Sequence, residues 1–173
     1  MGKKIMAVIN PVSSGGKTAK RWPKINKYFK DEFANFTEKF TTKPGDAVKI
    51  AKEAVEKDYD YLLAVGGDGT VNEIVNGMLL AKTKNLKAKL IIYAQGTGSD
   101  LSRTLNLPKE ISKFIELIKR GKSRKIKVIE AEFSNSAYPG IKYFCYHFYK
   151  NFFTICYIGK HRYCNNTNKN CSS

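Results

Sequence analysis

No stretch of this chain is long and apolar enough to span a bilayer, and no acidic residue follows Glu132. The most apolar region, residues 141–158, is broken by Lys142, His147, Lys150 and Asn151. The N-terminus, MGKKIMAVIN, has only the short apolar run Ile5 to Ile9, and no small-residue cleavage site follows it. A cytoplasmic location is therefore the expectation. Histidine is scarce, with two residues, and the four cysteines (Cys145, Cys156, Cys164, Cys171) are separated by 10, 7 and 6 residues with no C-x-x-C pair. That spacing fits no named zinc site, so free thiols in a reducing compartment are expected. Five prolines and 13 glycines exclude collagen-like and low-complexity architectures.

What is present is ordinary globular material with a strong charge bias. The chain has 173 residues, 42% of them hydrophobic and 27% charged, with 31 Lys and Arg against 15 Asp and Glu. A domain of ~150 residues removes roughly 70% of its chain's surface from water and needs no covalent staple. The net charge of +16 attracts anions as a class: nucleotide, acidic lipid or nucleic acid.

The composition changes near residue 138. From Tyr138 to Ser173 there are five Lys or Arg, no Asp or Glu, ten of the 21 aromatic residues and all four cysteines. Two readings stand for this stretch: a basic, aromatic accessory segment, or an aberrant terminus such as an out-of-frame translation. The second is preferred, because apolar alternation is lost and Phe, Tyr, Cys and Asn are favoured. The expected organisation is one domain over residues 1–137 and an aberrant or truncated start of a second, β domain over 138–173.

Before that break, strands and helices alternate. Residues 4–10 form an apolar run ended by Asn10-Pro11, a buried strand and a turn. A helix is expected over residues 18–33, kinked or restarting at Trp22-Pro23. Strands are expected at 35–41, 61–65, 90–94 and 124–133. Helices are expected at 45–57, where Ala47, Ile50, Ala51, Ala54 and Val55 make one apolar stripe, and at 70–80, 100–105 and 109–120. Gly121 fits a C-terminal cap. The pattern predicts an α/β fold, a parallel sheet with helices on both faces. Ligands of such sheets sit beyond the carboxyl ends of the strands, where three unusual loops should converge.

The most informative loop is Gly66-Gly67-Asp68-Gly69-Thr70-Val71-Asn72-Glu73. Glycines let backbone N–H groups approach phosphate oxygens, and the helix that follows offers its positive end. Asp68 puts a carboxylate in that turn, able to orient Mg²⁺ or accept a hydroxyl proton, and Thr70 is expected to cap the helix. The second loop, Asn10-Pro11-Val12-Ser13-Ser14-Gly15-Gly16-Lys17-Thr18, ends like a P-loop but has Pro11 where the first glycine belongs. The third is Gly96-Thr97-Gly98-Ser99-Asp100-Leu101-Ser102-Arg103. Alone, the second and third loops read equally well as structural turns. Neither a complete P-loop nor a G-x-G-x-x-G dinucleotide fingerprint is present.

Taken in order, NPxSxGGK, TTKPGDA, GGDGTxNE and GTGSDxxRTL resemble the diacylglycerol kinase catalytic domain, over roughly residues 4–133 and most closely the soluble bacterial lipid kinases. The resemblance implies ATP- and Mg²⁺-dependent transfer of phosphate to a lipid hydroxyl such as that of diacylglycerol. It carries Asn10, Pro11, Ser13, Ser14 and Gly15 onto the family's first nucleotide loop and Thr42 onto its second contact. Gly67, Asp68, Gly69, Thr70, Val71, Asn72 and Glu73 match the loop around the ATP phosphates, and Thr97 a further contact. Asp68 matches the aspartate given a catalytic or metal-orienting role. Ala94 and Ser99 depart from the family's Pro and Asn.

The family is longer than this chain, and its second β domain, which helps build the acceptor cleft, is where the match dissolves. The expectation is an ATP-dependent lipid kinase, with possible loss of turnover in this short form. The implied partners are ATP, a lipid substrate and an acidic membrane surface at its inner face, not nucleic acid. The alternatives are a catalytically dead nucleotide-binding remnant and, further off, a relative of the NAD kinases, which share GGDGT. A nucleic-acid binder rests on charge alone, since no such motif occurs.

Overall fold

The structure, a computed structural model, describes residues 2–83, 86–94, 100–121, 123–131, 143–147 and 155–162. Strand β1 (Lys4–Ile9) is buried at every position after Lys4. Its two faces are used differently. Ile5, Ala7 and Ile9 pack with Trp22, Phe29, Phe114 and Ile118, whereas Met6 and Val8 pack with Ala47, Ala51, Val71 and Ile74. A strand buried on both faces reads as a continuous apolar run, which is what covering helices on both sides of a parallel sheet require.

Strands β2 (Asn35–Phe40), β1, β3 (Tyr61–Gly66) and β4 (Lys89–Ala94) lie side by side in that order and run parallel. The register pairs Ile9 with both Phe40 and Val65, and Gly66 with Ala94, so their carboxyl ends share one edge. Beyond β4 the sheet becomes mixed. β7 (Ile155–Arg162) meets β4 antiparallel at Leu90 and Cys156, β5 (Ser123–Ala131) runs parallel to β7, and β6 (Tyr143–His147) pairs antiparallel with β5. Both β6 and β7 fall in the acid-free, aromatic-rich residues from Tyr138 onward.

Helices α1 (Lys17–Glu32) and α5 (Ile111–Arg120) cover one face, and α2 (Asp46–Glu56) and α3 (Asp68–Leu80) the other. The short α4 (Asp100–Thr104) follows β4. The α1–α5 side is aromatic: Phe29 stacks on Phe36 at 5.2 Å, and Tyr93 meets Phe114 edge-on at 4.8 Å. Gly121 ends α5 at φ 65°, its N–H on the Ile118 carbonyl, a conformation glycine adopts without strain.

Two local details differ from one of the forms expected. The first concerns α1, which does not restart at Trp22-Pro23 but runs as one helix through Pro23. Trp22 and Phe29 anchor it to the core on either side of that residue, while Ala19 and Pro23 both lie on the exposed face. There water can satisfy the carbonyl that proline leaves without a donor. The second concerns α3, which starts at Asp68 rather than Thr70, with Gly67 as its N-cap residue. Thr70 is therefore inside the first turn and caps nothing; its side chain is buried and turned toward the neighbouring loop.

α2 and α3 cross at Gly77. A Cβ there would stand 2.3 Å from the Val48 carbonyl oxygen and 2.7 Å from the Ala51 Cβ. Only hydrogen fits, and the close crossing fixes the relative placement of the two helix N-termini that border the site.

Candidate functional site

The carboxyl edge of the four parallel strands gathers most of the expected residues. After β1, the Asn10 N–H donates to the Val65 carbonyl and the Thr41 N–H to the Ile9 carbonyl, so the ladder holds these loops at their roots. The chain then turns sharply. Ser14, Gly15 and Gly16 have φ of 55°, 63° and 79°, three successive left-handed residues that swing the backbone into α1. Two of the three being glycine keeps the strain of that turn low.

The turn is braced internally and externally. The Asn10 carboxamide oxygen accepts from the Val12 N–H at 3.2 Å, and the Ser13 hydroxyl donates to the Asn10 carbonyl at 2.9 Å. Ser13 and Thr18 share a hydroxyl–hydroxyl bond of 2.6 Å. Externally, the Asn10 amide donates to the Thr70 hydroxyl at 3.2 Å, joining this loop to the first turn of α3. Pro11 contributes its carbonyl to the Ala19 N–H, seating the turn on α1.

Gly66, Gly67 and Gly69 do different work. A Cβ on Gly66 would lie 2.4 Å from the Thr70 hydroxyl, so this glycine lets Thr70 fold back on the strand end. A Cβ on Gly67 or Gly69 would meet nothing within 4 Å. Space is open above that backbone, and the first helical bond is the Val71 N–H to the Gly67 carbonyl. The amides of Gly69 and Thr70 precede that bond in the first turn, the part of a helix that receives an anion. Asp68 is exposed in the same turn. Val71 is buried in the core, and the Asn72 carbonyl accepts from the buried Asn76 amide at 2.8 Å.

Glu73, in the second turn of α3, bonds to the start of α2. One carboxylate oxygen accepts from the Gly45 N–H at 3.1 Å and the Ala47 N–H at 3.2 Å, at the N-terminus of α2. A carboxylate there satisfies orphan amides and complements the helix dipole. Glu73 therefore ties the loop carrying Thr42 to the helix carrying Asp68.

Thr42 follows β2 and is exposed. Its hydroxyl donates to Asp46 at 2.6 Å, and the same carboxylate oxygen takes the Thr42 N–H at 2.9 Å and the Lys43 N–H at 3.1 Å. The Thr42 hydroxyl and N–H hold the Asp46 carboxyl below its ordinary range. Asp46, Gly77 and Asn76 are contributors that the motif reading passed over. Asp46 had a signal: an acid in the first turn of a helix, four residues after a threonine. Gly77 and Asn76 had none, since both depend on a partner element. Thr97 lies outside the described residues, whereas Asp100 to Arg103 of the third loop belong to α4.

No group of three His, Cys, Asp or Glu residues able to hold a metal occurs among the described residues. No described helix is long and apolar enough to cross a membrane.

Comparison with known proteins agrees with the four motifs. The family model described as "Diacylglycerol kinase catalytic domain" matches residues 4–131. A diacylglycerol kinase of Staphylococcus aureus strain MRSA252 is 35% identical over 132 residues, covering 74% of this chain and 40% of that protein. One from Staphylococcus carnosus strain TM300 is 35% identical over 130 residues, covering 74% and 41%. Among solved structures, a diacylglycerol kinase from Bacillus anthracis str. Sterne superposes with a TM-score of 0.62 at 29% identity, covering 73% of this chain and 45% of that one. The chain thus spans less than half the length of these relatives.

Proposed function

This chain belongs to the diacylglycerol kinase catalytic domain family, and on that footing we propose that it binds ATP at the shared carboxyl edge and serves phosphoryl transfer to a lipid hydroxyl such as that of diacylglycerol. The observation that carries this reading is the open first turn of α3, with room above Gly67 and Gly69 and with Asn10 bonded to Thr70. Such a turn receives phosphate oxygens on backbone amides, and phosphoryl transfer needs positioning and charge neutralisation above all.

In this reading Asn10, Ser13, Ser14 and Gly15 border the nucleotide on one side and Thr42 on the other. The Gly67–Thr70 amides hold the phosphates. Asp68 supplies the carboxylate. The bond between the γ-phosphorus and the bridging oxygen breaks, the lipid hydroxyl oxygen bonds to phosphorus, and its proton passes to Asp68 or solvent. Magnesium is commonly held by one or two carboxylates plus substrate phosphates, and a single exposed Asp68 beside a phosphate cradle fits that pattern. Bound there, it would neutralise charge on the transferring group. The ATP-binding unit is assigned to residues 1–137, and the net positive charge favours peripheral contact with an acidic bilayer.

Radiolabelled ATP with diacylglycerol-containing vesicles tests the reading. Label appearing in the lipid, and lost in Asp68→Asn, supports it. Nucleotide binding without transfer would favour the remnant reading, and no nucleotide binding at all would remove both.

A further inference from the structure

Thr18 is wholly buried, yet its hydroxyl does not cap the helix it sits in. Gly16 is the N-cap residue of α1, and no side chain caps that end. Thr18 shares the buried side of α1 with Trp22 and Phe29, and its hydroxyl lies 2.6 Å from that of Ser13. The direction of that bond follows from the next one. Ser13 has a single hydroxyl proton, which goes at 2.9 Å to the Asn10 carbonyl, a group that can only accept. Thr18 is therefore the donor to Ser13. The Asn10 carbonyl also takes the Ser13 N–H at 3.3 Å. With its main chain held in this way, the Asn10 carboxamide takes the Val12 N–H and donates to Thr70. Directed hydrogen bonds thus lead from the buried side of α1, through Asn10, to the turn that opens α3.

We infer that Thr18 and Ser13 are positioning residues for the proposed ATP site: they fix the Asn10 main chain, and through it the bridge to Thr70, and Ser13 gives no hydrogen bond to phosphate. The inference rests on the nucleotide reading above and deepens it, moving the Ser13 hydroxyl from the ligand to the support of the loop. An ionised phosphate oxygen only accepts, and the one proton that Ser13 could offer is already committed.

Trp22 and Phe29 make the placement rigid. They seat α1 in the core beside Ile5, Ala7 and Ile9 of β1, so Thr18 stands at a fixed place relative to the strand that leads into Asn10. The packing that carries α1 through Pro23 thereby also sets the loop.

Titration calorimetry with ADP on the full chain, with thermal melts of the same preparations, tests this. Thr18→Val keeps the shape and removes the donor, and Ser13→Ala removes the link. Each should weaken ADP binding about fivefold to tenfold, the scale of one hydrogen bond. Thr18→Ser keeps the hydroxyl and should bind ADP as the wild type does. The double variant Thr18→Val/Ser13→Ala should bind no more weakly than Ser13→Ala alone, because both changes cut one path. In an Asn10→Ala background, Ser13→Ala should cost no further affinity, a comparison that stands even if Thr18→Val does not fold. Additive losses in either pair would overturn the inference, those in the Asn10→Ala background by placing Ser13 on the ligand itself. A lower melting temperature in Thr18→Val with unchanged ADP affinity would overturn it too, leaving a purely structural hydroxyl. Absence of ADP binding to the wild type would instead sink the nucleotide reading beneath it.

Discussion

Asn10 and Thr70 are sixty positions apart in the chain, yet the Asn10 amide donates to the Thr70 hydroxyl at 3.2 Å and so couples the loop after β1 to the turn that opens α3. The other end of the same carboxamide accepts from the Val12 N–H. Replacing Asn10 with Asp keeps the acceptor, removes the donor and adds a negative charge beside the proposed phosphate cradle. Stability should fall by ~1 kcal/mol, the worth of one hydrogen bond. ADP affinity should fall further, by about tenfold, as expected for roughly 1.4 kcal/mol. Thermal melts and calorimetry on the same preparations would read both.

Two glycines on one helix should respond oppositely to the same change. At Gly77 an added methyl collides with the Val48 carbonyl and Ala51, so Gly77→Ala should destabilise by at least ~1–3 kcal/mol. At Gly69 the methyl meets open space on a helical residue, where alanine is preferred by up to ~1 kcal/mol. Gly69→Ala should therefore melt at or above the wild-type temperature while binding ADP more weakly, because the methyl stands over the amides. Chemical denaturation with a parallel ADP titration separates packing from ligand access.

These contrasts mark where sequence reading succeeds and where it stops. The β1, β3 and β4 runs were legible because strands buried on both faces leave unbroken apolar sequence. α2 and the Gly121 cap were legible from local periodicity and backbone permissiveness. Continuity of α1 through Pro23 was not, because local propensity favours a break and tertiary anchoring by Trp22 and Phe29 overrides it. Glu73 sat in a motif that pointed to phosphate, but its hydrogen bonds go to the start of α2, 28 and 26 residues upstream, which no window of sequence shows. Asp46 had a helix-start signal, whereas its grip on Thr42 is a matter of loop geometry.

Glu38 links β2 to α1 and should govern part of the acid response. Burial opposes its ionisation, but hydrogen bonds from Trp22 at 2.6 Å, Lys30 at 3.1 Å and Asn26 at 2.9 Å outweigh that and hold the carboxyl below 4.5. A folded-state value lower than the unfolded one contributes stability above about 4.5, and that stability is lost as pH falls through the folded value. Glu38→Gln should cost ~1–2 kcal/mol at neutral pH, since bonds to a charged group are replaced by neutral ones. Its stability should also decline less steeply than the wild type's below pH ~4.5. Denaturant melts at pH 7 and across the acid range give the two slopes.

Glu73→Ala removes the acceptor of two α2 amides and should lower stability by ~1 kcal/mol, as loss of a helix cap does. Glu73→Gln keeps an acceptor oxygen and should recover most of that loss. If Glu73 acts through α2 and not on the ligand, the Gln variant should also recover ADP affinity, whereas a direct role for its charge would leave affinity low.

The most direct test of the account is transfer of labelled phosphate from ATP to diacylglycerol in mixed vesicles, with wild type and Asp68→Asn measured alongside ADP binding. The account predicts label in the lipid for the wild type, a loss of at least ~100-fold in Asp68→Asn, the scale of a proton-transferring side chain, and ADP binding within a few-fold of the wild type in both. Transfer at an undiminished rate by Asp68→Asn would contradict it.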